Sequence, residues 1–337
     1  MGKKQTVTAA DIARECGVSQ ATVSYVISNK PGKRISEHTR SLILEAAARL
    51  GYVPSATARS MRTSRAMSIG VAAGGNQLHI GFNQALRGVR STLEPAGYSI
   101  TLLSGDLEEL LSCYAAGRID GILFLFFDLP EQDAALLNQR QIPFLLLDDN
   151  GVQGLGQEPC RAFEEAVRAC AGFCRERDFR DIRFFSLKYG ETLYSYKYDL
   201  FASALDALFP QASLRRIIIQ TRADPAGGEL TNEDLLERLQ GYLQEPFTLA
   251  VTPNQRLGWL LQSGILREDF RLPQRIRHIC LASSPVFHLA YPTVTSIHVP
   301  LVEMGAFAAA QLVRLLNGEE PEEQHFSCVL REGLSTQ

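Results

Sequence analysis

The chain has no CxxC pair, no apolar run near the roughly 18 residues of a membrane span, and no P-loop or GxSxG nucleophile elbow. These absences exclude most redox, membrane and hydrolase readings. Seven cysteines, at positions 16, 113, 160, 170, 174, 280 and 328, sit in apolar surroundings, and an odd count argues against a disulfide framework. Cys170 and Cys174 lie four apart on an expected helix without a His pair, so they read as buried structural thiols rather than a zinc site. The six histidines (38, 79, 278, 288, 298, 325) are dispersed without metal-ligand spacing. Gly154-x-Gly156 lacks the third glycine and the strand-to-helix context of a dinucleotide fingerprint. No catalytic residue, metal or cofactor is therefore expected, and the chain is not expected to be an enzyme. Met1-Gly2-Lys3-Lys4 leads into a polar segment rather than an apolar signal region, so a cytoplasmic location is expected.

What the chain does have is size and a divided charge. At 337 residues, 45% hydrophobic, it can bury large cores and is too long for one average domain. The net charge of −3 conceals a split: residues 1–65 hold 11 Lys/Arg against 4 Asp/Glu, and the remainder holds 23 against 33. A basic head on an acidic body points to a nucleic-acid-binding module joined to something that binds other things.

The head reads as short helices. Thr8 followed by Asp11 has the spacing of a capping box, Ile12, Ala13 and Cys16 supply an apolar face, and Gly17 stops the helix. Ser19 caps a second helix with Val23, Val26 and Ile27 inward. Its outward residues, Gln20, Ala21, Thr22, Ser24 and Tyr25, suit phosphate oxygens and base edges. Ser36 caps a third helix, for which Leu42, Ala46 and Leu50 form the expected inner stripe and Gly51 the end. Helices joined by a tight glycine turn, with a third completing the core, make a helix-turn-helix.

The string Thr8-x-x-Asp11-Ile12-Ala13-x-x-Cys16-Gly17-Val18-Ser19-x-Ala21-Thr22-Val23-Ser24-x-Val26-Ile27 continues with Thr39-Arg40 and Gly51-Tyr52-x-Pro54-Ser55-Ala56-x-Ala58-Arg59-Ser60. On these residues the chain resembles the lac repressor family of bacterial transcription regulators. The resemblance implies a homodimer whose second helices read two half-sites of operator DNA, with Gln20, Ala21 and Tyr25 at base-reading positions and Ser19, Thr22 and Ser24 on phosphate. Thr8, Thr39 and Tyr52 complete the implied contacts of the head. Tyr25 replaces a more usual Arg. The segment from Ser55 to Met61 is below the ~12–15 residues of an independently stable helix, and the resemblance makes it a hinge helix that folds in the minor groove. There Ser55, Ala58 and Arg59 would meet the DNA, and Met61, where Leu is usual, would wedge between base pairs. The expected domains are 1–54, the helix-turn-helix; 55–66, hinge helix and linker; and 67–337, a two-lobed effector-binding and dimerisation domain.

Beyond residue 67, apolar strands alternate with helices: strands near 68–73, 98–103, 121–126 and 143–147, then 182–186, 216–219, 248–251 and 279–282. Such repeats imply parallel sheets covered on both faces. Two such sets resemble the periplasmic-binding-protein type I core that serves this family as effector domain, so the expected fold is an all-α helix-turn-helix domain plus an α/β core of two parallel-sheet lobes. Thr293-Val294-Thr295-Ser296-Ile297, Pro300 and Met304-Gly305 stand where the family has its final crossover and closing helix. At the places matching the family's effector Arg, Asn-Asp pair and Asp pair, this chain has Lys197, Asn254-Gln255 and Ser283-Ser284. Asp148 and Asp149 at a strand end are further cleft candidates.

Two classes of function stand open. One is a repressor whose operator affinity is modulated by a ligand between the lobes. The other is a regulator of the same fold that has lost small-molecule sensing, or a cytoplasmic solute-binding protein. With the guanidinium fork and both carboxylates replaced, an ordinary free sugar is not the expected effector.

Overall fold

The computed structural model describes residues 7–27, 35–52, 65–72, 80–127, 129–148, 151–154, 161–189, 192–193, 195–221, 230–266, 276–282 and 284–337. In the head, α1 (Ala9–Cys16), α2 (Gln20–Ile27) and α3 (Glu37–Leu50) form one small core. The Asp11 carboxylate accepts from the Thr8 hydroxyl at 2.7 Å and the Thr8 N–H at 2.9 Å, which fixes the start of α1. Gly17 (φ 65°) and Gly51 (φ 63°) end α1 and α3 in the left-handed conformation, where a side chain would be strained. Ile12, Val23, Val26, Ile43, Ala46 and Ala47 are buried together. The inner stripe of α3 thus begins at Ile43 rather than Leu42, which is 41% exposed. Ala46 and Leu50 belong to either phase of a 3.6-residue period; the packing of α1 and α2 selects the one containing Ile43.

Among the described residues the body holds two sheets. The first has the order β2 (Ser99–Leu103), β1 (Ser68–Ala72), β3 (Gly121–Leu125), β4 (Phe144–Asp148), β5 (Gly151–Gln153). Strand β1 runs parallel to β3 and β3 parallel to β4, whereas β5 returns antiparallel to β4. The second sheet centres on β6 (Asp181–Tyr189), which pairs in parallel with β8 (Ser213–Gln220) and β9 (Leu249–Thr252). Beyond β9 lie β10 (Arg277–Cys280) and β11 (Thr295–His298), both parallel additions. The short strands β7 (Thr192–Leu193) and β12 (Val329–Arg331) are antiparallel to β6 and β11. The parallel cores agree with the alternation of strand and helix in the sequence, and the antiparallel edge strands are additions to it.

In each sheet the chain order reverses, at β1/β3 and at β6/β9. In open α/β sheets, ligands bind beyond the carboxyl ends of the strands at such points. The closing helix, Leu301–Asn317, follows β11 in the second sheet yet packs against Ile80–Leu93, the helix after β1. Thr92 donates its hydroxyl to the Ala306 carbonyl across this crossing at 3.3 Å. Gly88 and Gly305 lie where the two backbones touch: a Cβ on Gly88 would stand 1.8 Å from the Val302 carbonyl oxygen.

Candidate nucleic-acid interface and the strand-end edge of the body

Helix α2 presents two faces of different character. Val23 and Val26 are buried, Ser19, Gln20 and Ala21 are exposed, and Thr22, Ser24 and Tyr25 are half-buried. Ser19 caps the helix: its Oγ accepts the Thr22 N–H at 3.1 Å and lies 2.9 Å from the Thr22 hydroxyl. Helix α3 repeats the device, with Ser36 Oγ accepting the Thr39 N–H at 3.1 Å and lying 2.8 Å from the Thr39 hydroxyl. Each helix start thus carries a coupled pair of hydroxyls at the positive end of the helix, an arrangement suited to an anionic oxygen. The sequence reads both serines as caps; the pairing of each with the threonine hydroxyl three residues on shows only in the structure.

Thr8 is exposed, and its hydroxyl and N–H on Asp11 hold that carboxyl below its ordinary range. Tyr52 packs against the head core, and its N–H bonds the Ala47 carbonyl at 2.9 Å. Ser55, Ala58, Arg59 and Met61 lie outside the described residues, as do Asp149 and Ser283.

In the body, the structure brings Lys197 to the strand-end edge of the second sheet. Its ammonium, near the start of the helix Tyr196–Leu208, donates to the Pro253 carbonyl at 2.9 Å and the Leu281 carbonyl at 3.0 Å, just past β9 and β10. It also lies 4.9 Å from the centre of the Phe163 ring, within cation–π range. Asn254 shares this edge and caps the helix Gln255–Leu266, its Oδ1 accepting the Leu257 N–H at 2.9 Å. Gln255 follows it and is buried. Asp148, at the end of β4 in the other sheet, accepts from Gln153 Nε2 at 3.3 Å.

The aromatic residues that follow Lys197 in the chain are packed into the second sheet. Phe201 is buried and packs 5.9 Å from Phe184, and Tyr198 stands edge-on to Phe184 at 5.3 Å beneath the Arg216 guanidinium at 4.3 Å. Arg216 in turn donates to the Ser186 and Ser195 hydroxyls at 3.3 and 3.1 Å. Tyr198 and Phe201 are therefore packing residues of the second sheet. Trp259 is 46% exposed on the helix after Asn254.

Among the described residues, no group of three or more His, Cys, Asp or Glu side chains could hold a metal ion, and no helix is long and apolar enough to cross a membrane.

Residues 8–55 match the family model of bacterial regulatory proteins, lacI family, and residues 171–336 match that of the periplasmic binding protein-like domain. The chain is similar to the catabolite control protein A of Streptococcus mutans, at 25% identity over 351 residues, covering 99% of this chain and 98% of that one. It is similar to the protein of that name from Staphylococcus epidermidis at 25% identity, with 94% of each chain covered. Among solved structures, the lac repressor bound to ONPG in its repressed state superposes with a TM-score of 0.74 at 19% identity, over 99% of this chain and all of that one. The cellobiose complex of the transcriptional regulator CelR gives 0.60 at 20% identity, covering 98% and 99% of the two chains. At such identities these likenesses speak for a shared fold.

Proposed function

The chain belongs to the lacI family of bacterial regulatory proteins, and on that premise we propose that it is a sequence-specific DNA-binding transcription regulator of repressor type, acting as a homodimer on a near-palindromic operator. The observation that carries this reading is α2. A serine-capped helix buries Val23 and Val26 and exposes Gln20 and Ala21, in a head with a surplus of seven positive charges (11 − 4). In this reading Gln20, Ala21 and Tyr25 face base edges. Ser19, Thr22, Ser24 and Thr39 face phosphates with Thr8 and Tyr52 beside them, and residues 55–61 enter the minor groove with Met61 as wedge.

Selection of bound sequences from a random DNA pool by the full chain tests it directly. The expected product is a two-fold symmetric motif whose affinity falls with salt at a log–log slope of about −0.9 per neutralised phosphate. A fragment beginning at Met67 is expected to fold and to bind no DNA. Retention of operator binding by that fragment would overturn the assignment.

A second reading, a regulator that does not sense a free sugar, is favoured by Lys197. Its ammonium is engaged by two carbonyls and an aromatic face, and the guanidinium and carboxylates that would grip sugar hydroxyls are replaced.

A further inference from the structure

The backbone enters the first sheet through an unusual anchor. The Asp120 carboxylate, one residue before β3, accepts the Ala66 N–H at 2.7 Å through Oδ1 and the Ser68 N–H at 3.4 Å through Oδ2. Asp120 also donates its own N–H to the Ser68 carbonyl at 2.8 Å. Between the two held N–H groups stands Met67, with φ at 51°, in the left-handed region that a long side chain rarely occupies. A left-handed residue turns its flanking N–H groups toward one side, which is how backbone nests catch an anion. Here the anion is supplied by the chain itself. Such a conformation persists only where the surroundings impose it, and the imposing group is a half-buried carboxylate from a strand start 52–54 residues further along the chain.

We propose that Asp120 is a positioning residue for operator binding: it holds the backbone of residues 66–68 at the start of β1, the root to which the expected 55–66 linker is joined. This rests on the reading of the chain as a DNA-binding regulator. Two half-sites are engaged together only if both heads reach them in register, and a linker whose root swings freely lowers the effective concentration of the second head without changing any residue that touches DNA. Contacts to non-specific DNA need no fixed register. A loosened root therefore weakens operator binding selectively.

The test uses the full-length protein and Asp120→Ala, with Asp120→Asn as a graded partner that keeps one acceptor oxygen. Limited trypsin digestion read by mass spectrometry reports on the root itself. Asp120→Ala is expected to raise the rate of cleavage after Arg65 about tenfold, as loss of a hydrogen-bonded charge implies, while the melting temperature of the body stays within a few degrees. Operator binding by fluorescence anisotropy is expected to weaken about tenfold, non-specific binding to stay level, and the preference among half-site spacings to broaden, with Asp120→Asn between the two. Unchanged cleavage after Arg65 would overturn the proposal. So would equal weakening on operator and non-specific DNA, or a loss of binding that tracks a fall in melting temperature. Should the wild-type protein select no DNA sequence, the regulator reading fails, and the digestion still decides whether Asp120 holds the root.

Discussion

Replacing Gly305 by alanine probes the joint between the closing helix and the helix Ile80–Leu93. The new Cβ would lie 2.1 Å from the Ala85 carbonyl oxygen, 2.8 Å from its carbon and 2.9 Å from its Cα. These are backbone atoms of a packed helix, so no rotamer change relieves the overlap. Reaching an ordinary carbon–oxygen contact needs a retreat of roughly 1 Å, enough to forfeit a quarter to a half of each dispersion contact along the crossing. It would also stretch the Thr92 to Ala306 hydrogen bond. Overpacking of this kind costs about 1–3 kcal/mol, with backbone-on-backbone cases at the upper end, and the better helix propensity of alanine returns about 1 kcal/mol at most. The expected net loss is about 2 kcal/mol. Gly172 supplies the internal control. It too lies inside a helix, Arg161–Glu176, but a Cβ there meets nothing within 4 Å, so Gly172→Ala should stabilise by about 0.5–1 kcal/mol. Urea unfolding of both variants should give shifts of opposite sign. A Gly305→Ala midpoint at or above that of the wild type would refute the reasoning.

Three further outcomes are expected. His278 is fully buried between Thr252 Oγ1 at 2.9 Å and Gln262 Oε1 at 3.2 Å, and burial pushes its imidazole down to about 3. The unfolded chain therefore binds a proton that the folded one refuses. This contribution is complete above about pH 6.5 and is lost as pH falls toward 3, by about 2 kcal/mol at pH 5; a His278→Gln variant with the same stability slope between pH 7.5 and 5 would count against it. Met61→Ala should weaken operator binding far more than non-specific binding, because a wedge acts only where the duplex is bent. Equal losses in parallel titrations would reject that role. In thermal-shift trials against mono- and disaccharides, nucleosides and phosphorylated metabolites, free hexoses and pentoses should not stabilise the body. One that does so by several degrees and releases operator DNA at micromolar concentration would contradict the second reading.

The head was legible because its determinants are local. Thr8 with Asp11, Ser19 with Thr22, and the glycines at 17 and 51 act over a few residues, and each falls where the spacing places it. Leu42 shows the limit: a stripe of period 3.6 admits two phases through Ala46 and Leu50, and the partner helices decide between them. In the body, strands with continuous apolar runs were readable, while Gly151–Gln153 and Val329–Arg331, three residues each, exist only through their pairing with β4 and β11. The anchor at Asp120 left no mark in the sequence. A lone aspartate before a strand reads as a cap, and the N–H groups it holds are more than fifty residues away.

Lys197 marks the boundary between what spacing and what geometry can say about the effector edge. Its position in the chain offered a cation for a ligand, yet its two carbonyl partners come from loops 56 and 84 residues distant. An ammonium has three donors, so any ligand at this edge meets a cation already directed at protein carbonyls. Asn254 beside it holds the start of the next helix, and Arg216 is engaged by Ser186, Ser195 and Tyr198. Lys197 and Asn254, beside the ends of β9 and β10, therefore tie the second sheet to its own loops and the following helix. A molecule that draws the ammonium away from those carbonyls needs an acceptor stronger than they are; an anionic oxygen is one, and the hydroxyl of a neutral sugar is not.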